Sequence, residues 1–558
     1  MGINRRQALG ALSAGAALAP LSKARAQGEV VFAYGVAAGD PTRDGLLIWT
    51  HARSADGKAV ALSWQVATDR LFKKLAWQGR ATARPERDFT VKLPITGLKP
   101  GVTYFYRFFA GEVISAVGQA RTLPVGATDK LVLVSACCAM YAGGYFNAYE
   151  AIAKLPRVDA VIHLGDYIYE VAGEKPADYG YDTGSALGRL PQPRHACLTL
   201  ADYRARFAQT RSDPACQAAH ARAAWICCWD DHDLANDDWT DGAQAHNSVT
   251  DGPFSARKWA AVQAFYEWMP IRDPQAGQAF EAINRSFDFG DLASFTLLET
   301  RLTARDQQLT YGADLPKSPD GTPDVAAFQA KLKAPARRMM SPDQERWLGE
   351  VLGASVAGGK PWQIVGSGVT CARVSPPDLK SLMGDQAYAD MTAQVQGYYK
   401  IALADHDAKT RFDLPFGLDS WDGYPAARER FYAAIRSAKA RTVVLSGDSH
   451  LAWVNDLHDD AGRRVAAEFG ATALTSGGYG DSLPAGTPLG EAFIKRNSEV
   501  LFVEVFHKGF VLTTVTPTAV TGELIGVSTV LSKDFTTRVL KTYRVIHEGE
   551  TVSKPVEV

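Results

Sequence analysis

The sequence predicts a multidomain α/β chain with an all-β part in front, a β-sandwich over residues 27–125 followed by an α/β sandwich core over 126–558. Three observations carry that prediction. Residues 30–123 read as short strands broken by turn residues, with no helical period. From residue 126 onward, apolar strand-like runs alternate with helix-like segments. The length of 558 residues, 46% hydrophobic and 22% charged, supports two or more domains with cores of their own and excludes disorder as the main state.

At the N-terminus, Arg5-Arg6 precedes a weakly apolar stretch, 8–21, and Ala24-Arg25-Ala26 supplies a small-x-small cleavage pattern. The stretch is too short and too rich in Gly and Ala to span a bilayer. The combination resembles a twin-arginine export signal, which a receptor reads. Residues 1–26 are therefore expected to be a leader. The mature chain would begin near Gln27, fold before export, and leave by the twin-arginine machinery for the periplasm or the medium. The 60 Lys plus Arg against 61 Asp plus Glu leave a net charge of −1, so nothing electrostatic points to nucleic acid as a specific partner. A mean hydropathy of −0.14 and the lack of an internal apolar run of about 20 residues predict no transmembrane anchor in the mature chain.

Within the sandwich the expected strands are 46–49, 60–66, 89–93 and 103–109. A Pro100-Gly101 turn followed by Thr103-Tyr104-Phe105-Tyr106 resembles the tyrosine-corner region of fibronectin type III sandwiches. In the core, 145–154, 200–209 and 342–352 read as helices, and the strand-like runs 500–505 and 511–515 are expected to close the sheet. The seven cysteines cannot all pair internally. The vicinal pairs Cys137-Cys138 and Cys227-Cys228 are expected to be buried as small hydrophobes. Cys197 with Cys216 is the one disulfide candidate.

Four apolar runs, 131–138, 160–166, 224–231 and 442–448, end in residues able to bind metal: Cys138, Asp166, Asp231 and Asp448. Strand ends on one side of an α/β sheet form its ligand crevice, so these four are expected to converge. In Gly165-Asp166-Tyr167-Ile168-Tyr169, glycine lets the backbone turn off the strand. That leaves Asp166 free to bridge two cations and Tyr169 to reach the first. A phenol of pKa about 10 becomes a ligand at neutral pH only beside a strongly Lewis-acidic ion, for which ferric iron is the obvious candidate. Taken alone, the pentapeptide also suits a strand-end turn in which Tyr169 packs.

Trp229-Asp230-Asp231-His232-Asp233, with Asn236, Asp237 and Asp238 behind it, is an oxygen-rich cluster suited to calcium, magnesium or manganese. A solvated acidic turn is the other reading, and the apolar run 223–228 ahead of it argues against that. His232 among carboxylates is expected to keep its proton to higher pH, as a general acid requires. In Ser446-Gly447-Asp448-Ser449-His450, the ligand candidates Asp448 and His450 lie two apart and would point the same way if extended. The Cys138 thiolate would join Tyr169 and His450 on the iron side, although a buried cysteine taken alone is usually inert.

These residues carry a family resemblance. Gly165-Asp166-x-x-Tyr169 matches the purple acid phosphatase motif, and the wider set is similar to the PhoD family of alkaline phosphatases, built on the calcineurin-like metallophosphoesterase core. The matching stretches are 138–149, 163–170, Trp229-Asp230-Asp231-His232-Asp233, 445–450, and Glu468-Phe469 followed by Thr475-Ser476-Gly477-Gly478. Departures are Cys137 for serine, Ala139 and Met140 for polar residues, Asp233 for Glu, and Glu299 for Asp. The resemblance implies that 126–558 is a metallophosphoesterase catalytic domain. It implies ferric iron (Fe3+) held by Cys138, Asp166, Tyr169 and His450, with Asp166 bridging to calcium (Ca2+) held also by Asp231 and Asp448. Asn236 would touch the substrate or a second calcium.

The implied activity is hydrolysis of phosphate mono- and diesters by a metal-activated hydroxide, with His232 protonating the leaving alcohol. Neither Ser446 nor Ser449 sits in a strand-to-helix Gly-x-Ser-x-Gly nucleophile elbow. A phospholipase D-type phosphodiesterase is the nearest alternative, with Tyr141, Tyr145, Tyr167 and Trp239 lining a groove or packing in the core. A calcium-stabilised cell-envelope binding protein is the alternative of another class.

Overall fold

A computed structural model describes residues 30–394, 406–483 and 487–558. The predicted leader, 1–26, lies outside the described residues.

The front part forms two facing sheets. One consists of Val36–Thr42, Gly45–His51 and Thr90–Thr96; the other orders Gly118–Arg121, Thr103–Ala110, Val60–Ala67 and Leu75–Ala83. Alternation decides what each strand buries. Tyr104, Tyr106 and Phe108 point into the sandwich with Val36, Ala38, Leu46 and Ile48, while Phe105, Arg107 and Phe109 stay half-buried outside. The Tyr104 hydroxyl accepts a hydrogen bond from Lys99 N at 2.8 Å, the tyrosine corner that the Pro-Gly turn and aromatic strand predict.

This sandwich shares a sheet with the core. Val36–Thr42 runs parallel to Ala224–Cys227, with Ala38 opposite Ala224 and Gly39 opposite Trp225. The approach is close enough that a Cβ on Gly39 would lie 1.9 Å from the Pro270 carbonyl oxygen and 2.8 Å from that of Trp225. Glycine at this position admits the junction.

The resulting 11-stranded sheet has Leu131–Ala136, Ala160–His163 and Ala224–Cys227 parallel at its centre, with Gly509–Val515, Ala519–Val527 and Thr537–Glu548 added antiparallel on the other side. A 7-stranded sheet faces it, in the order Arg285–Phe289, Ala293–Leu297, Trp362–Ser367, Thr442–Ser446, Arg464–Gly470, Ala452–His458 and Val500–Glu504. The two terminal runs therefore part: Val500–Glu504 edges the second sheet and Gly509–Val515 joins the first. Leu133 and Ile162 meet Phe295, Ile364 and Val443 between the sheets. The alternate residues Val365 and Val444 pack outward against the helices Pro342–Ala357 and Pro425–Ala438. Burial on both faces is why these strands read as unbroken apolar runs.

The helices Asn147–Lys154, Leu200–Ser212, Pro214–Arg222 and Phe254–Trp268 supply the remaining buried faces. A Thr199/Asp202 capping box starts the second of them. All seven cysteines are buried and free. The Cys197–Cys216 pair does not form; Cys216 Sγ instead lies 3.1 Å from the Tyr167 hydroxyl. Among the described residues, no helix is long and apolar enough to cross a membrane.

Candidate metal centre

The C-terminal ends of four parallel strands meet at one edge of the two-sheet core. Three come from the first sheet and deliver Cys138, Asp166 and Asp230-Asp231; the strand Thr442–Ser446 of the facing sheet delivers Asp448 and His450. Convergence thus occurs between two sheets, not along the crevice of one. Backbone geometry sets each side chain. Cys138, Asp166, Asp448 and His450 all lie at positive φ (60°, 56°, 67° and 60°), a left-handed conformation that non-glycine residues seldom take. Such outliers cost about 1–3 kcal/mol each and cluster at functional sites. They also correct the expectation for Asp448 and His450: both sit in left-handed turns, not an extended run. His450 therefore groups with Cys138 and Asp166, and Asp448 with Asp230 and Asp231.

Ligand atoms of Cys138, Asp166 and His450 lie within 4.8 Å of one another, and so do those of Asp166, Asp231 and His232 and those of Asp230, Asp231 and Asp448. Asp166 is shared between groups. The Tyr169 hydroxyl is 2.9 Å from Asp166 Oδ2 and 3.0 Å from His450 Nε2, so it completes the first group. His450 Nδ1 donates to the Gly477 carbonyl at 2.5 Å, which leaves the Nε2 lone pair facing the site. Burial pushes His450 down to about 3, so the ring is neutral, as a ligand must be.

The carboxylates are too many for the cations around them. Burial, then Asp231, pushes Asp166 well above the carboxylate range; burial, then Asp230, does the same to Asp448. Burial raises Cys138 likewise. Asp231 Oδ1 and Asp230 Oδ2 are buried without a hydrogen-bond partner. Orphaned oxygens beside a thiol, a phenol and a neutral imidazole fit a harder, oxygen-bound cation next to one that accepts sulfur and nitrogen. Bound cations would reverse the upward shifts.

His232 donates its backbone N–H to Asp166 Oδ1 at 3.2 Å, and its ring stacks on Tyr169 with centroids 4.2 Å apart. Its Nδ1 is 2.8 Å from Glu170 Oε2. Burial opposes the charged ring, but Glu170 and Asp231 outweigh it and hold the pKa well above the usual histidine value. Asn236 sits half-buried at the rim, with its backbone N–H on Glu170 Oε1 at 2.8 Å and its amide on Gln244 at 3.1 Å.

Three participants escape the sequence reading. Asp419 groups with Asp231 and Asp237 as a further candidate cation site. Arg301, fully buried, links Asp230 (2.5 Å) to Asp419 (2.7 Å). Glu170 ties His232 to Asn236. Arg301 and Glu170 lie in recognisable motif stretches, but Asp419 follows no strand and gives no periodic signal. Tyr167 is fully buried against Phe207 and His220 and lines no groove, whereas Tyr141, Tyr145 and Trp239 are half-buried.

The family model for the PhoD-like phosphatase matches residues 132–524, and that for the PhoD-like phosphatase N-terminal domain matches 16–124. The chain belongs to the PhoD-like phosphatase family. It is 33% identical over 501 residues to alkaline phosphatase D of Bacillus subtilis (strain 168), covering 87% of this chain and 76% of that protein. A solved structure of PhoD superposes with a TM-score of 0.74 at 30% identity, over 94% of this chain and 92% of that one. As a member of the PhoD-like phosphatases the chain is a phosphoesterase acting on phosphoester substrates, and a binding protein without turnover is set aside. The family implies dependence on metal, and the clustered Asp, His and Cys groups are suited to it.

Proposed function

We propose that this PhoD-type phosphatase is an exported enzyme that hydrolyses phosphate mono- and diesters at an iron and calcium centre. The observation that carries the reading is that Asp166 groups with Cys138 and His450 on one side and with Asp231 on the other, while Asp231 in turn groups with Asp448. Cys138, Asp166, Tyr169 and His450 would hold ferric iron, and Asp166, Asp231 and Asp448 would hold calcium. Bound there, the ions supply Lewis-acid compensation for phosphoryl oxygens and make a nucleophile available at neutral pH. His450 keeps the Nε2 lone pair toward the site because its one N–H, on Nδ1, is donated to the Gly477 carbonyl. His232, held protonated by Glu170, delivers a proton to the leaving alcohol. Asn236 contributes to the substrate rim. The arginine pair Arg5-Arg6 supports export by the twin-arginine route.

Elemental analysis of the purified protein together with hydrolysis of a chromogenic phosphomonoester and its diester tests this reading. Iron and calcium in near-stoichiometric amounts, with turnover of both esters, are expected. A fully active protein free of iron defeats the metal assignment. Strong preference for the diester favours a phospholipase D-type role, and preference for the monoester favours phosphate scavenging.

His232→Ala is expected to lower kcat by about 10²–10⁴-fold for alkyl esters and much less for nitrophenyl esters, whose leaving groups need no proton. Equal losses for both substrates would refute the acid role.

A further inference from the structure

Helix Leu200–Ser212 carries Arg211 in its last turn, and the side chain points inward, leaving the residue fully buried. Its guanidinium lies over the indole of Trp49, 4.3 Å from the ring centroid. This is where the strand Gly45–His51 of the front part packs against the core. Among the described residues, none of Nε, Nη1 and Nη2 of Arg211 closes a hydrogen bond of good geometry, although the Tyr167 hydroxyl approaches the guanidinium.

The other fully buried arginines are paired. Arg301 and Arg305 engage Asp419, and Arg206 donates to the carbonyls of Gln192, Pro193 and Val171. Among the described residues, Asp213, two positions along from Arg211, and Glu267, beside Trp49, are both engaged elsewhere. Asp213 places Oδ2 on Arg189 at 2.8 Å and Oδ1 on the Ala215 N–H at 2.9 Å. Glu267, whose carbonyl accepts the Trp49 N–H, has its carboxylate forked by Arg204 at 2.7 Å.

The groups that feel the Arg211 charge include His51, Tyr106 and Cys227 as well as Tyr167, Cys216 and His220, the last three joined by contacts of 3.1 and 3.0 Å. A phenol, a thiol and an imidazole supply no negative charge; burial pushes the Cys216 thiol up to about 12 and keeps His220 neutral. His220 Nδ1 is a further buried atom without a partner. A guanidinium does not give up its proton, and an isolated buried ion is strongly unfavourable. The face of one indole attracts a cation too weakly to offset that.

We propose that a small monovalent anion of chloride's size is a built-in component of this junction, held by the Arg211 guanidinium between Trp49 and the Tyr167–Cys216–His220 cluster. The anion completes a buried ion pair behind the loop that carries Asp166. It thereby ties the front sheet to the metal-bearing part of the core.

Crystals of the metal-loaded full chain grown in sodium bromide test this directly. An anomalous peak in contact with the Arg211 guanidinium is expected; a water, or no density, at that position overturns the proposal. In solution, replacing isethionate by chloride at constant ionic strength is expected to raise the unfolding midpoint by about 2 °C. Arg211→Met, which removes the charge but keeps an apolar stem, is expected to lose that response. An equal response in both proteins places the halide elsewhere and overturns the assignment. Should Arg211→Met fail to fold, the bromide map of the unaltered protein decides.

Discussion

Asp166→Asn is expected to lose hydrolysis by about 10³-fold or more and to lose bound metal in the same step, while remaining folded. The separation of fold from function follows from the local geometry. Asp166 holds φ at 56°, in the left-handed region that asparagine tolerates as readily as aspartate, so the turn off Ala160–His163 survives. The amide is isosteric, and its remaining carbonyl oxygen still accepts the His232 N–H that the carboxylate takes at 3.2 Å. What disappears is the charge shared by the Cys138 and His450 group and the Asp231 and His232 group. An NH2 also comes to face the Tyr169 hydroxyl, now 2.9 Å from Asp166 Oδ2, so the phenol loses the acceptor that orients it. Elemental analysis, steady-state rates and thermal unfolding of the variant beside the parent protein check the three parts of this result. A folded variant that keeps its metals and full activity would sink the shared-ligand arrangement.

Much of this centre was legible because parallel strands buried on both faces read as unbroken apolar runs. Where such a run stops at Cys138, Asp166, Asp231 or Asp448, the change from apolar to ligand chemistry marks the strand end itself. Sheet membership was not legible. Nothing in the period of 442–446 says that it faces 131–136 across a core instead of pairing beside it. The same holds for Val36–Thr42, whose entry into the core sheet depends on the contact of Gly39 with Pro270, 231 positions away. The extended reading of Asp448 and His450 failed because strand alternation was carried past the strand end, into turns where φ changes sign. Asp419 was invisible for another reason. It reaches the site through Arg301 and Arg305, more than 110 residues earlier, and a loop residue fixed by long-range ion pairs leaves no local pattern.

The second large effect is expected at a residue outside every candidate cation-binding group among the described residues. Asp233 accepts hydrogen bonds from four backbone N–H groups: Asp166 at 2.8 Å, Tyr167 at 3.0 Å, Ile168 at 3.2 Å and Asp230 at 3.1 Å. One buried carboxylate thus pins the loop bearing Asp166 and Tyr169 to the turn bearing Asp231. Asp233→Asn leaves one acceptor oxygen and turns an NH2 toward backbone donors, stranding at least one buried N–H. A loss of about 3 kcal/mol of stability is expected. A fall of about 10–100-fold in metal affinity should accompany it, the effect of a side chain that orients ligands without touching the ion. Unlike Asp166→Asn, this variant should regain activity when metal is supplied in excess, because its ligands are intact and only their placement has loosened. Metal titrations followed by activity, with denaturant midpoints for each variant, separate the two cases. Equal failure of both variants at saturating metal would mean that Asp233 acts on the ions themselves. An Asp233→Asn protein as stable and as tightly loaded as the parent would mean that the loop is held by its packing alone.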